Sequence, residues 1–218
     1  DTSKYVYCIT DKYHNYHDGG ASIRDINTTY INRHSVQEDI VHGFALEIMP
    51  IDGCPKSKIK RCRQLFNAFL YSLFNVQRLP DNKGKFVRSM AKIAYMIVPS
   101  SNLRYKLWKH AEKQMTKYSW NQCDEVTELI GAIHGMLLRH DKKDFAEVER
   151  KKFEDYEFPV MKGYKKYLKR VWGDYMELPP VEKRVAKHDV VYMSLTEPYT
   201  KYKGIYYCVN EKTDGNIH

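Results

Sequence analysis

Phe44-Ala45-Leu46-Glu47-Ile48-Met49-Pro50-Ile51-Asp52-Gly53 is where the chain changes character. An alternation of period two sends Phe44, Leu46 and Ile48 to one side of an extended strand and Ala45, Glu47 and Met49 to the other, so Glu47 shares a face with the small Ala45. Pro50, Gly53 and Pro55 then interrupt the pattern, because proline fixes φ and withholds a ladder donor. Upstream of the break the runs are short and β-like: Tyr5-Val6-Tyr7-Cys8-Ile9, then Ala21 to Ile31 around Arg24 and Asp25. Asp18-Gly19-Gly20 is a turn signal between these two runs and predicts a hairpin.

Downstream the spacing becomes helical. Ile59, Cys62, Phe66, Phe69, Leu73 and Val76 recur at intervals of three and four, which predicts one apolar stripe on a helix from about Ser57 to Val76. Its first turns carry Lys56, Lys58, Lys60, Arg61 and Arg63. Phe86, Met90, Ile93 and Ile97 repeat the pattern until Pro99, and Ser100-Ser101-Asn102 supplies caps for a third helix bearing Leu103, Leu107, Ala111 and Met115. A shorter helical segment is predicted over Asp124 to Leu138, weakened by Gly131 and Gly135. Tyr156-Glu157-Phe158 reads as a strand ended by Pro159, and Tyr164 to Trp172 as a helix stopped by Gly173. Leu178-Pro179-Pro180 forces an extended turn, after which Asp189 to Leu195 and Tyr199 to Val209 are strand-like. The expected class is α+β with a helical middle: a core over 1–55, a helical region over 56–150, and a segment over 151–218 that packs back on the core.

Composition narrows the function classes. Hydrophobic residues at 43% and charged residues at 29% exclude a disordered or fibrous chain. The formal charge of +9 points to an anionic partner, whether a phosphate group, nucleic acid or acidic headgroups. Eighteen tyrosines could stack on single-stranded nucleic acid, but no RNP-type or helix-turn-helix pattern accompanies them, so nucleic acid is not the expected partner. Five cysteines are scattered without a CxxC pair, which argues against a disulfide framework or zinc site and for a reducing, cytoplasmic setting. The longest apolar stretch, Leu65 to Val76, falls short of the roughly 20 residues that span a bilayer. With no initiator methionine and no signal-peptide pattern, Asp1 reads as an internal position.

Two places could carry chemistry. A carboxylate flanked by strand hydrophobes, as Glu47 is, can hold a divalent ion rigidly, although a solvated acid on an open strand face has the same pattern. Arg184 and His188, following the di-proline turn, could bring donors to a pyrophosphate, since arginine meets phosphate oxygens in a fork; a packed turn with a solvated basic flank fits equally.

Taken in order, Ile23-Arg24-Asp25-Ile26-Asn27-Thr28-Thr29, His42-Gly43, Leu46 through Gly53, Phe153-Glu154-Asp155-Tyr156-Glu157-Phe158-Pro159-Val160 and Tyr164 through His188 resemble the LicD family. These enzymes transfer phosphocholine from CDP-choline to bacterial surface glycans and are related to the fukutin-type polyol-phosphate transferases. The resemblance implies a nucleotidyltransferase-like fold, in which a small mixed sheet presents three carboxylates to Mg²⁺. Two of these acids belong to a DDDxD motif that this sequence does not contain, and which in the family precedes the segment matching Tyr5 to Thr29; a start beyond that motif is expected. Glu47 falls on the third position, where the family has aspartate, and is expected to be the catalytic metal ligand. Arg24 is the first expected donor-phosphate contact, with Arg184 and His188 as secondary candidates, while Asp52 orients the turn after the Glu47 strand and Asp25 is a supporting acid. The resemblance further implies a CDP-choline or other CDP-alcohol donor and a glycan acceptor, free or lipid-linked, with the proton of the attacking hydroxyl taken by a carboxylate upstream of Asp1. The basic start of the first long helix is then expected to meet anionic lipid at the inner face of the membrane or a polyprenyl-phosphate-linked acceptor, although a solvated helix face fits equally. A degenerate relative that binds glycan or nucleotide without turnover is the competing expectation.

Overall fold

The structure is a computed structural model that describes residues 2–75, 84–185 and 188–209. Its strands are β1 (Tyr5–Ile9), β2 (Ala21–Asp25), β3 (Thr29–Asn32), β4 (Ala45–Ile48), β5 (Asp52–Cys54), β6 (Glu125–Thr127), β7 (His140–Asp141), β8 (Val148–Phe153), β9 (Tyr156–Met161) and β10 (Val190–Ser194). Its helices are α1 (Lys58–Asn75), α2 (Gly84–Ile97), α3 (Ser101–Met115), α4 (Ile133–Leu137), α5 (Lys143–Ala146) and α6 (Tyr164–Trp172). The class is α+β, as the sequence predicts. The chain divides into two compact units, Asp1–Met49 with Glu182–His218, and Pro50–Val181.

In the first unit, β2 lies between β1 and β4, antiparallel to both. The predicted hairpin forms with Tyr5 opposite Asp25 and Ile9 opposite Ala21. The Ala21 to Ile31 run is broken at Ile26-Asn27-Thr28, because Asp25 holds a turn there: its carboxylate accepts from Asn27 N at 3.0 Å and its carbonyl from Thr28 Oγ1 at 2.8 Å. Gly43 packs against that turn so closely that a Cβ would fall 1.9 Å from Asp25 O, so only glycine fits. Beyond the turn β3 pairs with β10, Thr29 opposite Ser194, and this ladder ties the end of the described chain to its beginning. The expected strand over Tyr199 to Val209 is instead a 3-10 turn at Tyr199–Tyr202 followed by turns. Gly204 (φ +77) and Cys208 (φ +50) bend the backbone out of the extended region, and Tyr192 stacks on Tyr206 while both meet Tyr202 at a tilt.

The second unit is built on α1, and here the structure overturns the predicted stripe. Inward-facing residues are Arg61, Gln64, Ala68, Tyr71, Phe74 and Asn75. All but Phe74 lie two positions after a predicted stripe residue, and at 3.6 residues per turn a shift of two is about 200°. The apolar start of the predicted stripe is therefore outside: Ile59 is 76% and Phe66 61% exposed, whereas Arg61 is 6% and Gln64 1%. The inner side of the first turns meets carbonyl oxygens that need donors. Gln64 Nε2 donates to Gly53 O at 2.9 Å and Met115 O at 3.0 Å, and its Oε1 accepts from Arg61 Nη1 at 2.8 Å. Arg61 Nη2 donates to Thr127 Oγ1 at 3.0 Å and Met136 O at 2.5 Å. Farther along, Ala68, Tyr71 and Phe74 pack with Trp108, Ala111 and Met115 of α3 and with Leu129 and Met136 into the apolar core. Val76 and the side chains of Phe86 and Met90 lie outside the described residues.

The predicted helix over Asp124 to Leu138 is shortened to α4 at its end, and its start is the strand β6 between β5 and β7. The β-branched Val126 and Thr127 favour that pairing, and Gly131 at φ +120 interrupts any helix through it. Pro159 does not end its strand: it sits inside β9 opposite Arg150, tolerated because a two-stranded ribbon leaves one side of each strand unpaired. α6 begins and ends at the predicted residues, with Gly173 at φ +71. The implied small mixed sheet is replaced, in every named ladder, by antiparallel pairing.

The rotation of α1 has a direct test in urea denaturation. Gln64→Leu removes both amide donors from buried carbonyls and is expected to cost about 2–6 kcal/mol, at about 1–3 kcal/mol for each buried group left unpaired. Ile59→Ser, on the open side, is expected to change stability by less than about 0.5 kcal/mol. The reverse ranking would return the apolar stripe to the core.

Candidate functional site

Glu47 stands on β4, an edge strand whose register sets its neighbours. It lies opposite Ser22, which in turn lies opposite Cys8, so these three share one face of the sheet, with Arg24 and Ala45 on the adjacent row. Cys8, Ser22 and Arg24 are buried, while Glu47 at the rim is exposed. Among the described residues its carboxylate makes no hydrogen bond or ion pair. The opposite face, bearing Tyr5, Tyr7, Ile9, Ile23, Leu46 and Ile48, is open, with Leu46 68% and Tyr7 63% exposed. Glu47 is thus on the covered side of the sheet, at a position where solvent still reaches it.

All three guanidinium nitrogens of Arg24 donate beneath that rim. Its Nη2 donates to Asp18 Oδ2 at 2.9 Å, Nη1 to Val41 O at 2.9 Å, and Nε to Ser22 Oγ at 3.1 Å, while Ser22 Oγ donates to Asp18 Oδ2 at 2.7 Å. The Tyr16 ring lies against the guanidinium at 4.8 Å. Each of its three nitrogens already donates and the residue is only 8% exposed, so a phosphate would meet Arg24 through the few N–H groups left over. The hydrogen bonds make Arg24 the clasp between β2 and the segment that covers it, which the sequence pattern did not suggest.

The remaining candidates are dispersed. Arg184 and His188 are exposed in irregular chain before β10, and the di-proline before them leads into a 3-10 turn at Val181–Lys183. Asp52 begins β5, opposite Thr127, in the second unit. The glycine that follows it is required by close approach: a Cβ on Gly53 would lie 2.6 Å from the carbonyl oxygens of both Tyr118 and Ser119. Of the basic residues expected to meet lipid, Arg61 is buried and leaves that set, while Lys58, Lys60 and Arg63 stay exposed.

No group of three or more His, Cys, Asp or Glu side chains that could hold a metal occurs among the described residues. Glu47 supplies a single carboxylate, so these residues do not by themselves fit a Mg²⁺ site. No helix among them is long and apolar enough to cross a membrane. One cluster escaped sequence reasoning: His140, Asp144, Lys166, Lys169 and Arg170 line a cleft of about 290 Å³ in the second unit. Its only linear signal is the spacing of the three basic residues along α6.

Asp52 Oδ2 is buried without a hydrogen-bond partner among the described residues, and burial pushes the carboxyl up to about 6 from 3.8. The folded chain therefore holds this proton more tightly than the unfolded chain. The stability that it contributes is fully present below about pH 4 and is lost as pH rises through 6. Asp52→Asn, which does not titrate, is expected to gain in Tm over the parent chain from pH 5 to pH 8. A difference that stays constant across that range would show that Asp52 is not desolvated.

No family model and no solved structure matches the chain. A curated relative does: the lipopolysaccharide cholinephosphotransferase LicD of Haemophilus influenzae is 34% identical over 84 residues. The match covers 38% of this chain and 32% of that protein, about a third of the relative's length. The likeness to LicD that the sequence motifs carry is thus found independently by comparison with a characterised protein.

Proposed function

We propose that this chain is part of a transferase that moves phosphocholine, or a related alcohol phosphate, from a CDP-linked donor to a cell-surface glycan with release of CMP. The observation that carries this reading is the 34% identity to a lipopolysaccharide cholinephosphotransferase. A nucleotidyltransferase-like core remains part of the proposal, as does the glycan acceptor, of the lipopolysaccharide or teichoic-acid type.

In such a transfer an acceptor hydroxyl oxygen forms a bond to the distal phosphorus, the bond from that phosphorus to the CMP oxygen breaks, and a base takes the hydroxyl proton. Glu47 enters as the carboxylate that faces the donor diphosphate, the position where the likeness implies a Mg²⁺ ligand. Since the described residues offer one ligand only, no step is routed through the ion. What supports Glu47 is its availability: an exposed acid on a paired strand, with no described partner to displace and a backbone held by the β2 ladder. Arg184 and His188 are proposed as exposed donors for phosphate oxygens. Asp52 is proposed to hold the turn after β4, and its unpaired buried oxygen is a cost that function can explain.

The test is CMP release from CDP-choline, CDP-ribitol and CDP-glycerol with Mg²⁺, with EDTA as the metal-free arm. Glu47→Gln preserves shape, so its stability is expected to stay within about 0.5 kcal/mol of the parent. Release is expected to fall at least a hundredfold. Unchanged release in Glu47→Gln removes Glu47 from the mechanism, and no release from any donor leaves the binding-module reading.

A further inference from the structure

α6 turns one basic ridge toward β7 and α5. Lys166, Lys169 and Arg170 stand at i, i+3 and i+4 and so lie on one side of the helix. Together with His140 and Asp144 they line the cleft of about 290 Å³. Its most buried member is His140, 3% exposed, whose ring is held by Phe145 at 5.7 Å and Tyr167 at 5.2 Å between centroids. Tyr167 is fixed in turn by donating its hydroxyl to Glu128 Oε1 at 2.6 Å. The His140 Nε2 is almost wholly buried and, among the described residues, has no hydrogen-bond partner. Native interiors rarely leave such an atom unpaired, at a cost of about 1–3 kcal/mol, so the orphan nitrogen points to an acceptor supplied from outside.

The charges around it are unevenly spent. Lys166 is held by Asp144 at 3.0 Å, and Arg170 gives one Nη to Arg139 O. Lys169 makes no ion pair among the described residues, and the rest of the Arg170 guanidinium is uncommitted there. Burial holds the imidazole below its ordinary range and so keeps it neutral at pH 7, able to donate one N–H. A guanidinium fork, an ammonium and an imidazole N–H converging on one small cleft match the several oxygens of a tetrahedral phosphate better than the two of a carboxylate.

We propose that this cleft binds a phosphate group, with Lys169, Arg170 and His140 Nε2 donating to its oxygens. The phosphate could arrive on a soluble diphosphate or on a lipid headgroup, and the chemistry of recognition is the same. The inference goes beyond the transferase reading and does not depend on Glu47.

Calorimetric titration of the full chain with inorganic pyrophosphate, with CDP-choline and with phosphatidylglycerol vesicles tests it. Saturable pyrophosphate binding is expected, weakened at least tenfold in the double variant K169A/R170Q. Lys165→Ala, a lysine on the same helix that lines a different cleft, is expected to leave affinity within twofold. The His140 ring resonances should move over the same concentration range. Competition of CDP-choline with pyrophosphate assigns the soluble source, and displacement of vesicles by pyrophosphate assigns the headgroup. No saturable binding by any probe, binding indifferent to K169A/R170Q, or equal loss in Lys165→Ala overturns the proposal. CMP release in the Glu47 variants is read separately, so the failure of either idea leaves the other standing.

Discussion

The second unit hangs on a buried cation and a buried amide, Arg61 and Gln64, one helical turn apart on α1. Between them they donate to the carbonyl oxygens of Gly53, Met115 and Met136 and to the Thr127 hydroxyl, and so join the start of β5, the end of α3, β6 and α4 to one helix face. Strand and helix ends expose carbonyls that cannot be buried unpaired. A side chain with several donors can close several ends at once, and Arg61 and Gln64 have both the donors and the reach. The described partners of Arg61 are neutral acceptors rather than a carboxylate, which makes the arrangement sensitive to loss of any one of them.

That constraint also explains where the sequence misleads. Periodicity assigns the inside of a helix to its apolar residues, and on α1 this gives a stripe through Ile59, Cys62 and Phe66 that in fact faces outward. Nothing in local spacing says that the first two turns will meet chain ends instead of an apolar core. Farther along α1, where Ala68, Tyr71 and Phe74 meet Trp108, packing dominates and the core is apolar. The strands were more legible. β1, β2, β4 and β10 lie where alternation and turn residues place them, and α6 ends at its glycine. Pairing partners over long separations were not legible: β3 with β10 and β5 with β6 depend on which edges the folded chain brings together.

The site shows the same division. The motif around Glu47 stands out in the sequence because strand hydrophobes and turn residues surround a single acid, and the structure gives that acid an exposed position with no described partner. Arg24 stands out by charge, yet its partners identify it as the clasp of β2 onto the segment through Asp18 and Val41. A basic residue near a proposed phosphate site is ambiguous until its hydrogen bonds are known. Lys169 and Arg170 present the opposite case, unremarkable in a lysine-rich chain until the fold sets His140 beneath them.

The stretch from Leu46 to Gly53 crosses the boundary between the two compact units, at Met49 and Pro50. Its residues accordingly answer to different constraints. Glu47 is held by the β2 ladder, whereas Gly53 is demanded by the backbone of Tyr118 and Ser119 and hands its carbonyl to Gln64. Asp52 sits beside that glycine with one oxygen buried and unpaired, a position where asparagine or threonine would be cheaper for folding alone. An acid kept where burial raises its proton affinity is a stronger pointer to chemistry than an acid on an open strand, because only the former carries a standing energetic penalty. The short motif is therefore best understood as two acids with different physical standing, one exposed and available, the other partly buried with an oxygen unpaired among the described residues, linked through Pro50.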